Sequence, residues 1–316
     1  MRRGCGAWRG STIATYRSAA LIYNPCAGRL RGARVALVER IASALTEAGH
    51  GVTIMPTGCP GDGTHLARNA VENGADLIIS VGGDGTLNDV INGVAGKPVP
   101  VAILPAGTAN VLAREVGIGT DPLRAARSVS SLVPRRIAIG LLRAEGEAPR
   151  YFVLMAGAGL DAHIVYNLNL PLKSRFGQFA YWVSASKELV RSQDEFEVTV
   201  NGVRRRCTFA LASRTRRYAG WMQVARGASL MNNSFELVLF EGTATLGNYS
   251  RYFGAVLTGR LPVRGMHVLQ AESIVFERDG VDVHVQVDGE YAGRLPARVD
   301  VVPDALTLLV PPEFTK

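Results

Sequence analysis

The 316-residue chain is short of the features that mark spanning, secreted or metal-clasping proteins. No apolar stretch approaches the roughly 18 residues that a membrane-crossing helix requires. The stretch Met1 to Arg17 carries arginines but no apolar signal core, so a cytoplasmic address is expected. Cys5, Cys26, Cys59 and Cys207 form no CxxC pair, which argues for reduced thiols and against a thiolate metal site. His65, His163, His267 and His284 lie in unrelated segments without ligand spacing, and core or surface roles are expected of them. There is no internal repeat, no zinc-finger spacing and no base-stacking pattern. Nucleic acid is therefore not the expected partner, although a net charge of +8 and a pI near 9.6 point to something anionic. The only dense basic groups are Arg204 to Arg206 and Arg214 to Arg217, which read as solvated strand faces or as a membrane-facing patch.

What the chain does have is glycine in telling places. Gly82-Gly83-Asp84-Gly85-Thr86 follows an apolar strand-like run, Asp76 to Val81. Leu87, Val90, Ile91 and Val94 then mark one face of a helix. The glycines thus fill a strand-to-helix turn, where bare backbone N–H groups and a helix N-terminus suit a phosphate. Asp84 carries the wrong charge for direct phosphate contact. A divalent cation, an ordered water or a substrate hydroxyl would resolve that, and all three belong to phosphoryl transfer.

At this length, with 47% hydrophobic and 20% charged residues, two globular domains are expected. Over residues 18–136 strands alternate with helices: strands at Ala19 to Tyr23, Val52 to Met55, Asp76 to Val81 and Val99 to Leu104, and helices at Val38 to Leu45, Leu66 to Asn73, Leu87 to Val94 and Val111 to Val116. A last helix is capped by Asp121 with Pro122 at its first position. That alternation implies an α/β, doubly wound nucleotide-binding domain with ligands at the carboxyl ends of its strands. Residues 137–312 read as a mainly antiparallel β-sandwich, with strands at Tyr151 to Met155, Phe196 to Val200, Arg206 to Ala212, Phe235 to Phe240, Ser273 to Phe276, Val281 to Val287 and Ala297 to Val302. Asn201-Gly202 signals a hairpin, and helices fall near Phe176 to Arg191 and Tyr249 to Leu257. The C-terminal end is allowed a return to the first domain, and the interdomain cleft is the expected active site.

Three more segments accompany the glycine turn. Asn24-Pro25-Cys26-Ala27-Gly28 follows the first strand, Pro105-Ala106-Gly107-Thr108-Ala109-Asn110 follows the fourth, and Asp288-Gly289-Glu290 ends a late strand. Taken with Met155-Ala156-Gly157-Ala158-Gly159-Leu160-Asp161-Ala162, they make the chain resemble the diacylglycerol kinase catalytic-domain family. These are soluble lipid kinases related to bacterial diacylglycerol, sphingosine and ceramide kinases. GGDGT alone is shared with NAD kinases and phosphofructokinases; the NPxxG, PxGTxN and DGE segments narrow it.

The resemblance implies ATP and Mg²⁺ in the cleft. Asn24, Pro25, Gly28, Thr57, Gly82, Gly83, Asp84, Gly85, Thr86, Asn88, Gly107 and Thr108 would line the ATP site. Glu290, Asp84 and Asp288 would be catalytic, with Glu290 as general base and Asp84 linked to Mg²⁺; exchange of the two roles is the main rival. The expected reaction is transfer of the γ-phosphate to a lipid hydroxyl, diacylglycerol first. A sphingoid base, monoacylglycerol or phosphatidylglycerol are alternative acceptors, and an NAD-kinase-like enzyme or an idle binding module are alternatives in kind. Peripheral membrane contact follows from a lipid substrate, and a homodimer is allowed. Phe176, Phe179, Tyr181 and Trp182 could rim a lipid entry, and Asp161 reads as a helix cap. Against the family pattern, Val111 replaces an aspartate, the segment Ile137 to Gly140 lacks another at Ala138, and Met231-Asn232-Asn233 replaces a metal-holding Asp-Asp-Gly, so no ion is expected there.

Overall fold

A computed structural model describes residues 14–30, 35–159, 195–218, 222–242, 245–277 and 283–314. The first half runs β1 (Ala19–Tyr23), α1 (Val35–Glu47), β2 (Val52–Pro56), α2 (Asp62–Glu72), β3 (Leu77–Gly82), α3 (Asp84–Val94), β4 (Pro100–Pro105), α4 (Val111–Glu115) and α5 (Pro122–Ser128). β1 pairs in parallel with both β2 and β3, and β3 with β4, giving the order β2-β1-β3-β4. Every residue of β3 is buried, as expected of a parallel strand covered on both faces. One face packs on α1 and α5 through Val38, Ile41, Leu45, Ala125 and Ala126; the other packs on α2 and α3 through Ala67, Ala70, Leu87, Val90 and Ile91. The winding direction reverses between β1 and β3, which opens a crevice at their carboxyl ends. Helix α2 starts a turn before its apolar pattern, at Asp62. Gly63 lets the two helices meet there, since a β-carbon on it would lie 2.7 Å from that of Asp89 on α3.

The second half runs β5 (Val133–Ala144), β6 (Arg150–Phe152), β7 (Met155–Gly159), β8 (Phe196–Val200), β9 (Val203–Ser213), β10 (Arg217–Tyr218), β11 (Met222–Gln223), β12 (Phe235–Glu241), α6 (Leu246–Thr258), β13 (Met266–Ala271), β14 (Ser273–Glu277), β15 (His284–Val287), β16 (Glu290–Arg294) and β17 (Ala297–Val310). The Asn201-Gly202 hairpin forms, with both residues at positive φ and Val200 opposite Val203. β9 is buried on both faces: Phe209 and Leu211 join one core, while Cys207, Ala210 and Ala212 join another with Phe152, Phe196, Phe235 and Phe276.

Three expectations need correction. The run Tyr151 to Met155 is not one strand but breaks between β6 and β7, because the N–H groups of Val153 and Leu154 turn away to a buried carboxylate. No strand is expected between Leu104 and Tyr151, yet Val133–Ala144 forms the 12-residue strand β5. β17 does not stop at Val302; it passes an irregularity between Val302 and Leu306 and continues to Val310. β5 runs antiparallel beside β17 over this whole length, and β17 pairs first with β14 and later, in parallel, with β4 at Thr307 and Leu308. One ladder thereby ties both halves into a single sheet.

Candidate active site

The loops after β1, β3 and β4 meet at the crevice. The Asn24 side chain accepts from Cys26 N–H at 2.8 Å, shaping the turn around Pro25, and Asn24 N–H donates to Val81 at the end of β3. Arg29 N–H donates to the Ala106 carbonyl, and a β-carbon on Gly28 would lie 3.5 Å from Thr108 Oγ1. Gly82 accepts from the N–H groups of both Ala106 and Gly107. A β-carbon on Gly107 would run into the Gly83 backbone, so the two glycine loops touch where no side chain fits. Thr57 follows β2 at the edge of the sheet, its N–H bound to the Tyr23 carbonyl at the end of β1.

Helix α3 opens at Gly83, which is extended and supplies no side-chain cap. Its first N–H groups therefore face the crevice with the positive end of the helix dipole behind them. Asp84, the first helical residue, does not fill that role. Its carboxylate accepts from Val111 at 3.1 Å and Leu112 at 3.4 Å, bracing the start of α4. Burial raises its carboxyl above the usual range, while these N–H donors pull it down.

Across the crevice lies the β15–β16 turn. Asp288, at φ 51, is only 9% exposed and accepts four bonds: from Val153 at 3.1 Å, Leu154 at 2.9 Å, Met155 at 3.0 Å and the Asn88 amide at 3.0 Å. Burial pushes its carboxyl up to about 6 against those donors. Glu290, two residues on, is different. Its side chain is 40% exposed and forms an ion pair with Arg150. A β-carbon on Gly85 would sit 2.5 Å from Glu290 Oε1, so the carboxylate lies directly against the first turn of α3.

Asn88, expected as a nucleotide contact, is 1% exposed and spent internally. Its Oδ1 accepts from Arg150 Nε and Nη2, and its Nδ2 donates to Tyr151 and Asp288. Asn92, one turn later, exchanges bonds with the Tyr151 backbone. Together they pin β6 to α3. Arg150, Asn92 and Asp89 escape sequence reasoning; only the one-turn spacing of Asn88 and Asn92 hints at a shared polar face. Asp89 accepts from Gly61 N–H at 3.1 Å, and burial first, then the Glu290 charge, raise its carboxyl.

The glycine loops, the open helix end and the facing carboxylate coincide with two family models. Residues 18–142 match the diacylglycerol kinase catalytic domain, and residues 155–310 match the YegS C-terminal NAD kinase beta sandwich-like domain. The chain is 31% identical over 293 residues to the diacylglycerol kinase of Bacillus subtilis (strain 168), covering 89% of this chain and 92% of that one. The chain belongs to the diacylglycerol kinase family. A second member, the diacylglycerol kinase of Staphylococcus epidermidis, is 30% identical over 295 residues, covering 89% of this chain and 88% of that one. The fold matches the crystal structure of a diacylglycerol kinase from Bacillus anthracis str. Sterne with a TM-score of 0.71 at 18% identity, covering 95% and 99% of the two chains. Another crystal structure from that organism reaches 0.79 at 19% identity, covering 98% of this chain and all of that one.

At the positions that depart from the expected pattern, the Val111 backbone N–H donates to Asp84. Near Asn232 stands Arg214, which belongs to a basic run expected to be solvated but is fully buried. Its Nη1 and Nη2 donate to the carbonyls of Ala138 (3.1 Å), Leu230 (2.8 Å) and Ser234 (2.6 Å), replacing part of the water it loses, while Nε has no partner among the described residues. Burial lowers it to about 10. Arg204, Arg205 and Arg206 are held in ion pairs with Glu197, Glu277, Glu241 and Glu195. Among the described residues no group of three His, Cys, Asp or Glu could hold a metal ion, and no helix is long and apolar enough to cross a membrane. Asp161, His163, Phe176, Phe179, Tyr181 and Trp182 lie outside the described residues.

Proposed function

We propose that the protein is an ATP-dependent lipid kinase that transfers the γ-phosphate to a lipid hydroxyl, with diacylglycerol as acceptor and phosphatidic acid as product. The observation that carries this is Glu290, an accessible carboxylate from the second half resting on Gly85 at the open end of α3. It stands where a base must stand to meet a hydroxyl approaching a phosphate held at that helix end. Gly82 to Thr86 offer backbone N–H groups to the terminal phosphates, and Asn24, Pro25, Gly28, Thr57, Gly107 and Thr108 form the remaining walls. Glu290 takes the proton of the lipid hydroxyl, the oxygen attacks the γ-phosphorus in line, and ADP leaves.

Mg²⁺ carried in on the nucleotide would neutralise charge on the phosphates. That fits a site lacking a carboxylate cage among its described residues, since Mg²⁺ commonly binds through phosphates, water and one carboxylate. Asp84, whose carboxylate also accepts from Val111 and Leu112, would be the residue to hold a water of that ion. Asp288, with four donors on its carboxylate, acts by holding the β6–β7 corner beside Glu290. The lipid is met at the bilayer surface, where the net charge of +8 favours anionic headgroups.

The test is transfer of labelled γ-phosphate from Mg-ATP to a panel of lipids in mixed micelles, wild type against Glu290→Gln. Labelled phosphatidic acid from the wild type, and a fall of about 10² to 10⁴ in kcat for the variant, is expected. No labelled lipid from the wild type would overturn the reaction, and equal turnover by the variant would overturn the base.

A further inference from the structure

Arg150 is the first residue of β6 and has no place in any of the glycine or acidic motifs. Its guanidinium is nevertheless fixed at two points. Nε and Nη2 both donate to Asn88 Oδ1, at 3.0 and 2.8 Å, and Nη2 also bonds Glu290 Oε2. The Asn88 amide that receives it is itself held on its other side by the Tyr151 carbonyl and Asp288. A chain of bonds therefore runs from α3 through a buried amide to Arg150 and out to the Glu290 carboxylate.

We infer that Arg150 is a positioning residue for phosphoryl transfer, aiming the Glu290 carboxylate at the first turn of α3 through a guanidinium that Asn88 locks in place. The inference rests on the reading of Glu290 as the base. Three observations carry it. The Glu290 side chain is 40% exposed, and an accessible glutamate with three rotatable bonds does not stay in one place unheld. The planar fork of arginine bonds Asn88 and Glu290 together, which the single ammonium of lysine does less well. Asp89, whose negative charge Glu290 feels, is on the same helix and would repel the carboxylate from the α3 surface without a cation beside it. Arg150 supplies that cation, and its charge acts on Asp89 as well. No described residue accepts from its Nη1, so the contact with Glu290 uses the inner edge of the fork.

A double-mutant cycle tests this. In the wild-type background Arg150→Met lowers kcat for lipid phosphorylation by about ten- to a hundredfold, the range expected when a reacting group is misplaced by about 1 Å, while KM for ATP stays within about twofold. In the Glu290→Gln background the same substitution causes no further loss, because its effect runs through the missing carboxylate. Arg150→Lys recovers part of kcat. An equal loss in both backgrounds, or a large rise in KM for ATP with kcat unchanged, overturns the inference and makes Arg150 structural or a phosphate contact. Should Glu290→Gln alone retain full turnover, the base reading falls first, so the two failures are told apart. Thermal unfolding of each variant separates lost positioning from lost folding: Arg150→Lys keeps the charge, and a folded Arg150→Lys with wild-type kcat would also reject the positioning role of the fork.

Discussion

The glycine turn at the head of α3 and the Asp288–Glu290 turn meet across the crevice, and they are built by opposite means. The first is made of backbone: Gly107 lies too close to Gly83 to carry a β-carbon, and the groups proposed to act there are N–H donors of consecutive residues. The second is made of side chains gathered from far apart, with Asn88, Arg150, Asp288 and Glu290 separated by up to 202 residues, the span from 88 to 290. Each turn also contains an aspartate that braces its own surroundings. Asp84 holds the start of α4, and Asp288 holds the β6–β7 corner. An acidic residue in a site motif is therefore not by that fact a reacting group. Of the three carboxylates, Glu290 has the fewest internal bonds and the most exposed side chain, which is why it is the one proposed to meet a substrate.

The sharpest way to break this comparison is at Asp288. Asp288→Ala leaves three backbone N–H groups and the Asn88 amide without an acceptor, and a loss of about 3 kcal/mol or more in chemical-denaturation stability is expected. Glu290→Gln, by contrast, should unfold within about 0.5 kcal/mol of wild type. If the two variants are equally destabilised, the division of labour between them is wrong. The same residue predicts a pH effect. Its carboxyl stands at about 6 when folded against an ordinary 3.8, so the stabilisation it adds is present below that ordinary value and is lost as pH rises through 6. Relative to Asp288→Asn, which does not titrate, the wild type should gain up to about 3 kcal/mol between pH 7 and pH 4. A gap that stays constant with pH would contradict this.

On the other side of the crevice, Gly107→Ala tests the backbone-built turn. The added methyl meets the Gly83 backbone and pushes the loops apart, costing about 1 to 3 kcal/mol of stability. Nucleotide affinity, measured by calorimetry, should fall at least tenfold. Unchanged ATP binding would mean that the contact between the loops is not what shapes the pocket. The smallest effect belongs to neither turn. Arg143 and Asp300 form a 2.7 Å ion pair on the β5–β17 ladder, with the arginine side chain 52% exposed, and Arg143→Ala should cost under about 1 kcal/mol. A larger loss would show that the ladder joining the two halves depends on its surface charges.

Much of the glycine turn is legible in the amino-acid sequence. Strand ends, glycine placement and helix periodicity are local properties, and they put the loops after β1, β3 and β4 at one end of a parallel sheet. Asp121 capping α5 through Leu123 and Arg124 is equally readable, since a cap and its donors lie within three residues. Legibility fails where a residue's partner is remote. Tyr151 to Met155 reads as one strand because its apolar run says nothing of a carboxylate 133 residues or more away. Arg214 reads as solvated because three carbonyls, one from Ala138 and two from the loop of Leu230 and Ser234, cannot be recognised as an acceptor set.

The alternating α/β framework, the placement of the glycine loops and the set of carboxylates from which a base would be drawn are all written locally in the chain. Periodicity and turn chemistry act over a few residues, so the chain declares them wherever it folds. Folding in three dimensions settles which carboxylate stays accessible, that Asn88 faces inward, and that Arg150 reaches Glu290. Those outcomes depend on burial and on hydrogen-bond partners brought together across the whole length of the chain, and no local pattern encodes them.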